Sequence, residues 1–233
     1  MKKLPLTFLI ILFTLTSNVV WSADYNKGWN AYESGDYATA LLEFKPLAEQ
    51  GNDDAQFYMG LMYLNGYGVP EDVNVAVKWF TLSAEQDDYD AQVSLGYMYS
   101  EGLGVKQDYK IALKWYRTSA EHGYSISQFN LGTMYDEGIG VPEDNKTAVK
   151  WYTLAAEQGD SDAQFNLGLM YYYGEGVIQD NIYAHMWINI SASNGNESGV
   201  NGRDILEEEM TSADISKAQN LARECVAKNY KGC

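Results

Sequence analysis

Along most of the chain, apolar residues return every three or four positions, the spacing of one face of a helix. One stretch shows the pattern in full. Ala91, Leu95, Met98 and Tyr99 share a face of a first helix; Ala112, Trp115, Tyr116, Ser119 and Ala120 share a face of a second. Between them lies Gly102-Leu103-Gly104-Val105. Gly102 stands where a left-handed residue ends a helix. Gly104 lets the loop bend, and Val105 gives it an apolar anchor. Asp108 then occupies an N-cap position, accepting from free amides at the positive end of the second helix. Gly96 sits inside the first helix, where glycine is about 1 kcal/mol worse than alanine. It predicts a close approach of two helices.

The unit recurs. Trp79, Trp115, Trp151 and Trp187 are spaced by 36 residues, as are Gly60, Gly96, Gly132 and Gly168, and Tyr63, Tyr99, Tyr135 and Tyr171. A fixed period of this size predicts a stack of repeats, each packed only on its neighbours. The repeats begin near Asp54, Asp90, Ile126 and Asp162, and helical phase places the Trp and Tyr columns in the core. Gly123, Gly159 and Gly195 follow three of the second helices; Asp87 holds that place in the first repeat, where a left-handed backbone or a lengthened helix end is expected. Before the array, Asp36 caps a helix carrying Ala40, Leu41, Phe44 and Leu47, in which Pro46 predicts a bend. In the fourth repeat His185 replaces the Val77, Leu113 and Val149 of the others. Beyond it the spacing persists without the residues: Asp204 stands in the glycine column and Glu207 in the tyrosine column. Thr211-Ser212-Ala213-Asp214 is a capping-box pattern. It opens a helix with Ile215, Ala218, Leu221, Ala222, Cys225 and Val226 on one side.

Ala-Gln-x-x-Leu-Gly-x-Met-Tyr, Gly-x-Gly-Val, Asp, Ala, Trp and Ala-x-x-Gly, repeated at period 36 from about Asp53 to Gly195, resemble the Sel-1-like repeat family, a relative of the tetratricopeptide repeat. The resemblance implies an all-α fold, a right-handed α/α superhelical solenoid whose first helices line a concave face. It also implies a scaffold or adaptor that holds a protein partner or extended peptide segment without catalysis. A cysteine-rich subgroup with similar repeats is linked to penicillin binding and weak β-lactam hydrolysis; its members carry a cysteine pair in each repeat, and this chain does not. The expected organisation is a signal peptide over 1–22, an N-terminal capping helix pair over 23–52, four repeats over 53–195, and C-terminal capping helices with a disulfide over 196–233.

Charge narrows the partner. Lys2 and Lys3 precede an apolar run from Leu4 to Leu15, too short to span a membrane, and cleavage is expected after Ser22. No cysteine follows the run to carry a lipid, so a periplasmic or secreted protein is expected, with no membrane insertion after cleavage. The formal charge is −16; removing Lys2 and Lys3 from the 16 basic residues leaves 14 against 32 acidic, or −18. That disfavours nucleic acid and anionic membranes and favours a neutral or basic protein partner. An inhibitor or immunity protein that neutralises a basic effector is a narrower reading. The chain is expected to be monomeric.

Little of the chemistry-bearing inventory points to catalysis. A helix, not a strand, precedes the Gly-x-Gly-Val turn, so turn chemistry is favoured over a phosphate cradle. Cys225 and Cys233, the two cysteines, read as one disulfide; a metal site lacks further ligands, and the spacing is not that of a redox pair. His122 and His185 lie on second helices in different columns, without a recurring Ser, Cys or Asp partner, and read as surface or helix-end residues. No catalytic residue, metal or cofactor is singled out. The informative positions vary while their neighbours do not: Tyr58, Ser94, Asn130 and Asn166; Leu61, Tyr97, Thr133 and Leu169; Leu64, Ser100, Asp136 and Tyr172. From these the expected partner-binding set is Tyr58, Leu61, Ser94, Tyr97, Asn130, Thr133, Asn166 and Tyr172. The asparagines offer donor and acceptor to a partner's main chain, and the tyrosines offer aromatic contact.

Overall fold

The computed structural model describes residues 23–233, so the signal-peptide reading of residues 1–22 lies outside it. Among the described residues every regular element is a helix: α1 Tyr25–Glu33, α2 Tyr37–Glu49, α3 Asp53–Asn65, α4 Val73–Ala84, α5 Tyr89–Glu101, α6 Tyr109–Glu121, α7 Ser125–Asp136, α8 Asn145–Ala156, α9 Ser161–Tyr173, α10 Asn181–Ser193, α11 Glu197–Glu209 and α12 Ser212–Ala227. Each helix from α1 to α10 packs on the next in chain order, and α12 folds back onto α10. This is an α/α solenoid. No helix among the described residues is long and apolar enough to cross a membrane.

Local chemistry sets the helix boundaries. Asp72, Asp108, Asp144 and Asp180 each accept from backbone amides in the first turn of a second helix. Asn52, Asp88, Asp160 and Asn196 do the same for first helices, whereas Tyr124 leaves α7 without a side-chain cap. Each such cap contributes about 1 kcal/mol. Gly66, Gly102 and Gly174 end α3, α5 and α9 in the left-handed conformation. The following loop is tied down, because the amides of Asp72, Asp108, Asp144 and Asp180 donate to the carbonyls of Tyr63, Tyr99, Tyr135 and Tyr171. A Cβ on Gly104 would come within 2.8 Å of the Val73 carbonyl oxygen. The second glycine therefore does more than bend the loop: it lets the loop rest on the start of the previous repeat's second helix.

The close approach expected at Gly96 is present in all four repeats. A Cβ on Gly60, Gly96, Gly132 or Gly168 would collide with Phe80, Tyr116, Tyr152 or Ile188 respectively. These four, each the residue after the tryptophan, form the buried floor beneath the first helices. The Trp column is a partial correction. Trp187 is buried, but Trp79, Trp115 and Trp151 are only partly so. Trp79 and Trp115 lie against the core of the preceding helix pair.

Asp87 is left-handed, with φ 67°. α2 runs on through Pro46 to Glu49. His122 is the exposed C-cap of α6, as expected. His185 is a correction: it is fully buried in the middle of α10, with Nε2 3.0 Å from Glu207 Oε1. The reason is that α10 packs against α9, α11 and α12, so its middle, from Ala184 to Ile188, is buried on every side. α12 opens with the N-cap half of the expected capping box, the Asp214 amide donating to Thr211 Oγ1, while the Thr211 hydroxyl donates to Asp214 Oδ2. It buries Ala218, Ala222 and Cys225; Val226, expected on the same side, is exposed. Cys225 and Cys233 form a disulfide with Cα atoms 5.5 Å apart. The tail it closes reaches back across the array: Tyr230 donates to Asn194 Oδ1 at 3.2 Å, and the Gly232 amide donates to Glu157 Oε1 at 2.9 Å.

Candidate functional site

The first helices α3, α5, α7, α9 and α11 stand side by side, with the second helices forming a floor behind them. The floor changes along the stack from Phe80 through Tyr116 and Tyr152 to Ile188, so hydroxyl groups rise between the first helices only in the middle. Tyr152 donates from its hydroxyl toward Asp136 Oδ2 and Thr133 Oγ1, both at 3.2 Å. Asn166 reaches the same hydroxyl from the next repeat. Burial pushes the Tyr152 hydroxyl well above its ordinary range. It pushes Tyr116 to about 12, tempered by a hydrogen bond with Ser100. Burial also holds the Asp136 carboxyl above the usual carboxylate range, partly offset by the bond from Tyr152.

The sequence-derived residues fall into three groups. Ser100, Asn130 and Thr133 meet around a recess of about 190 Å³ between α5 and α7, together with Glu101 and Tyr116. Leu169 and Tyr172 line a second recess, between α9 and α11. Tyr97 stands exposed on α5. Others are committed elsewhere. Tyr58 stacks on Phe44 at 4.9 Å and meets the edges of Tyr25 and Tyr32, which encloses it in an aromatic cluster with α1 and α2. Leu61 packs into the core around Phe80 and Leu95. Ser94 donates to the Asp90 carbonyl and Asn130 to the Ile126 carbonyl, each one turn back on its own helix. Thr133 likewise donates to the Phe129 carbonyl. The asparagines are thus partly engaged by the protein itself and do not stand as a bare pair of donors and acceptors.

Glu101 on this face, and Tyr116 and Tyr152 buried beneath it, were not singled out as site residues from the sequence. The available signal was the residue after each tryptophan, whose column has tyrosine in the two middle repeats and an apolar residue in the two outer ones. Charge separates just as clearly. α3, α5, α7 and α9 contain no lysine or arginine, whereas they carry Asp53, Asp54, Asp90, Glu101, Asp136 and Asp162. The basic residues of the repeats lie on second helices, as Lys78, Lys110, Lys114, Arg117, Lys146 and Lys150, or in the loop at Lys106. The first helices of the repeats therefore carry carboxylates as their only charged residues, and Arg117 of α6 reaches α7 where it donates to the Tyr135 hydroxyl at 2.6 Å. Among the described residues no group of three or more His, Cys, Asp or Glu side chains is placed to hold a metal ion.

Comparison with known proteins agrees with this architecture. The Sel1 repeat pattern matches residues 53–88, 90–124, 125–160 and 161–196. A solved protective antigen of uropathogenic Escherichia coli with an SLR fold is 35% identical, with a TM-score of 0.79 over 88% of this chain. The chain spans 46% of that protein, less than half its length. A solved Sel1 repeat protein from Oxalobacter formigenes is 30% identical, with a TM-score of 0.71, covering 87% of this chain and 75% of its own. No curated protein matches the chain. Four consecutive matched repeats and the shared solenoid place this chain in the Sel1 repeat family.

Proposed function

We propose that the chain is an exported, non-catalytic scaffold that holds an extended, basic segment of a partner protein on its first-helix face. Sel1 repeat proteins are generally protein-interaction scaffolds. The observation that carries the finer reading is the charge division: four successive first helices without a lysine or arginine, backed by second helices that hold most of the repeats' basic residues. Glu101 and Asp136 lie where the floor is polar, beside Asn130, Thr133 and Asn166. A basic segment laid there meets carboxylates for its side chains and hydroxyl and amide groups for its main chain. Helices α1 and α2 at one end, and α11 and α12 at the other, act as caps that keep the stack soluble. The Cys225–Cys233 disulfide supports a periplasmic or secreted location, since such bonds persist in oxidising compartments. The same acidic face favours, as a special case, an inhibitor or immunity protein for a basic effector.

The test uses residues 23–233 and the partner captured from the native compartment. Glu101→Gln with Asp136→Asn is expected to weaken binding at least tenfold while the melting midpoint stays level or rises, because neutralising Asp136 removes a partly buried charge. Binding is also expected to weaken as salt is raised, since exposed charge pairs are screened. Affinity indifferent to both would overturn the reading. Turnover of a chromogenic β-lactam, removed by a single first-helix substitution, would overturn its non-catalytic part.

A further inference from the structure

The second recess on the first-helix face is larger than the first and has no charged residue in its lining. It is a cleft of about 320 Å³ between α9, α10 and α11, lined by Phe165, Leu169, Tyr172, Ile188, Gly202 and Ile205 among others. Its origin is legible in the repeat columns. Gly202 stands 36 residues after Asn166, in the column Tyr58, Ser94, Asn130, Asn166. At this one position of the column there is no side chain to fill the space between neighbouring first helices. Beneath it the floor residue is Ile188, where the two preceding repeats have Tyr116 and Tyr152. The cleft is therefore lined by fewer polar side chains, Ser198 and Asn201 beside the tyrosines, than the recess two repeats earlier, which has Ser100, Glu101, Asn130 and Thr133. Leu169 and Tyr172 share columns with Thr133 and Ser100 of that earlier recess, so the two open on the same face.

We propose that this cleft receives one large apolar side chain, of leucine to phenylalanine size, from the basic partner segment, and so fixes the segment's register. The proposal deepens the scaffold reading and rests on it. Three observations select this occupant. The volume lies at the low end for ligand pockets and suits a single anchoring side chain. Exposed Tyr173 and Ile205 stand at its mouth. The rim is net acidic: Tyr172 donates to Glu209 Oε2 at 2.9 Å, the one basic residue of α11, Arg203, is paired with Asp204, and the face leading to it carries carboxylates without basic residues on α5, α7 and α9. An apolar anchor flanked by lysine or arginine matches both the cleft and its surroundings. Anchors of this kind, seated in desolvated pockets, dominate many interfaces.

The experiment measures fluorescence anisotropy of labelled peptides titrated with residues 23–233. The peptides are Lys-Lys-Ser-Phe-Ser-Lys-Lys, its leucine and alanine counterparts, and Glu-Glu-Ser-Phe-Ser-Glu-Glu. The phenylalanine and leucine peptides are expected to bind at least tenfold tighter than the alanine peptide, and the glutamate-flanked peptide to lose binding. Gly202→Asn, which installs the residue that α7 and α9 carry in this column, is expected to bring the phenylalanine and alanine peptides within about twofold of each other. Gly202→Ser, with a smaller side chain, is expected to do so in part; a Cβ at Gly202 would lie 3.1 Å from Phe165 Cε2, so both variants are expected to lower the melting midpoint modestly while remaining folded. Equal binding of the phenylalanine and alanine peptides to the unsubstituted protein, with sensitivity to Glu101→Gln and Asp136→Asn, would overturn the anchor cleft and leave the scaffold reading standing. A preference for phenylalanine that survives in folded Gly202→Asn would also overturn it. Gly202-dependent binding that ignores the flanking charge would overturn the basic occupant. Failure of every peptide to bind would overturn the anchor and the basic-segment reading together.

Discussion

Buried Gln92 has no hydrogen-bond partner for its Oε1 among the described residues, because His122 stands where the other repeats place an amide. Gln86 donates to Gln56 Oε1 at 2.8 Å, Gln158 to Gln128 at 2.7 Å, and Asn194 to Gln164 at 2.9 Å. His122 occupies the same column but stacks on Tyr89, with ring centroids 4.6 Å apart, and places Nδ1 2.8 Å from the Thr118 carbonyl. His122→Gln restores the missing donor. It is expected to stabilise the protein by about 0.5–1.5 kcal/mol, the net value of a typical hydrogen bond. Thermal unfolding checks this, and a lowered midpoint would show that the Tyr89 stack outweighs the recovered bond.

The floor gives a second expectation of opposite sign. Replacing a helix-interior glycine with alanine ordinarily gains about 0.5–1 kcal/mol. A Cβ on Gly132, however, would lie 2.7 Å from Tyr152 Cδ1. Gly132→Ala is therefore expected to cost about 1–3 kcal/mol, as overpacking of a dense core does. A raised denaturation midpoint would mean that the ring moves aside freely.

Most of the fold was legible because the repeat amplifies weak signals. One glycine inside one helix is ambiguous, but Gly60, Gly96, Gly132 and Gly168 in phase require a common cause, and the floor residues supply it. What escaped depended on neighbours that a single column does not show. Trp115 and Tyr116 both fall on the packing side of their helix, and only the stacking of repeats decides which is buried more deeply. His185 and the Val77, Leu113 and Val149 it replaces differ in type, yet its burial comes from the helices packed on α10, among them α11, whose Glu207 holds its ring, and α12, whose return onto α10 has no repeat counterpart. Gly202 was within reach: carrying the column of Asn166 one period further would have found it, but α11 keeps the spacing while losing the residues that make the spacing visible.

Asp87 holds a left-handed backbone, φ 67°, where Gly123, Gly159 and Gly195 hold 96°, 89° and 92°. Aspartate tolerates this region better than most residues but still strains there, whereas glycine does not. Asp87→Gly is expected to raise stability by about 0.5–1 kcal/mol, less whatever the freer unfolded chain takes back. An unchanged or lower melting midpoint would contradict the strain.

Stability should also depend on pH in a definite sense. Burial holds the carboxyls of Asp54, Asp90, Asp136 and Asp160 above the ordinary range. Such a group binds its proton more tightly folded than unfolded, so its ionisation weakens the fold as pH rises through the folded value. The melting midpoint is expected to climb as pH is lowered from about 6 to about 4.5, just above the ordinary carboxylate value. Asp36 and Asp144 are held below that range by hydrogen bonds from Thr39 and Thr147, so they work the other way, only at more acid pH. Asp136→Asn is expected to flatten part of the climb. A midpoint that falls steadily across this interval would contradict the assignment.

The most direct test of the binding face is hydroxyl-radical footprinting of residues 23–233 with and without a saturating lysine-flanked peptide. Tyr97 and Tyr173 are exposed on first helices, at 55% and 62%, and Leu82 and Leu154 on second helices, at 45% and 43%. Oxidation of Tyr97 and Tyr173 is expected to drop severalfold on binding while Leu82 and Leu154 are unchanged. Protection of Leu82 and Leu154 with Tyr97 and Tyr173 left reactive would place the partner on the opposite face and contradict it.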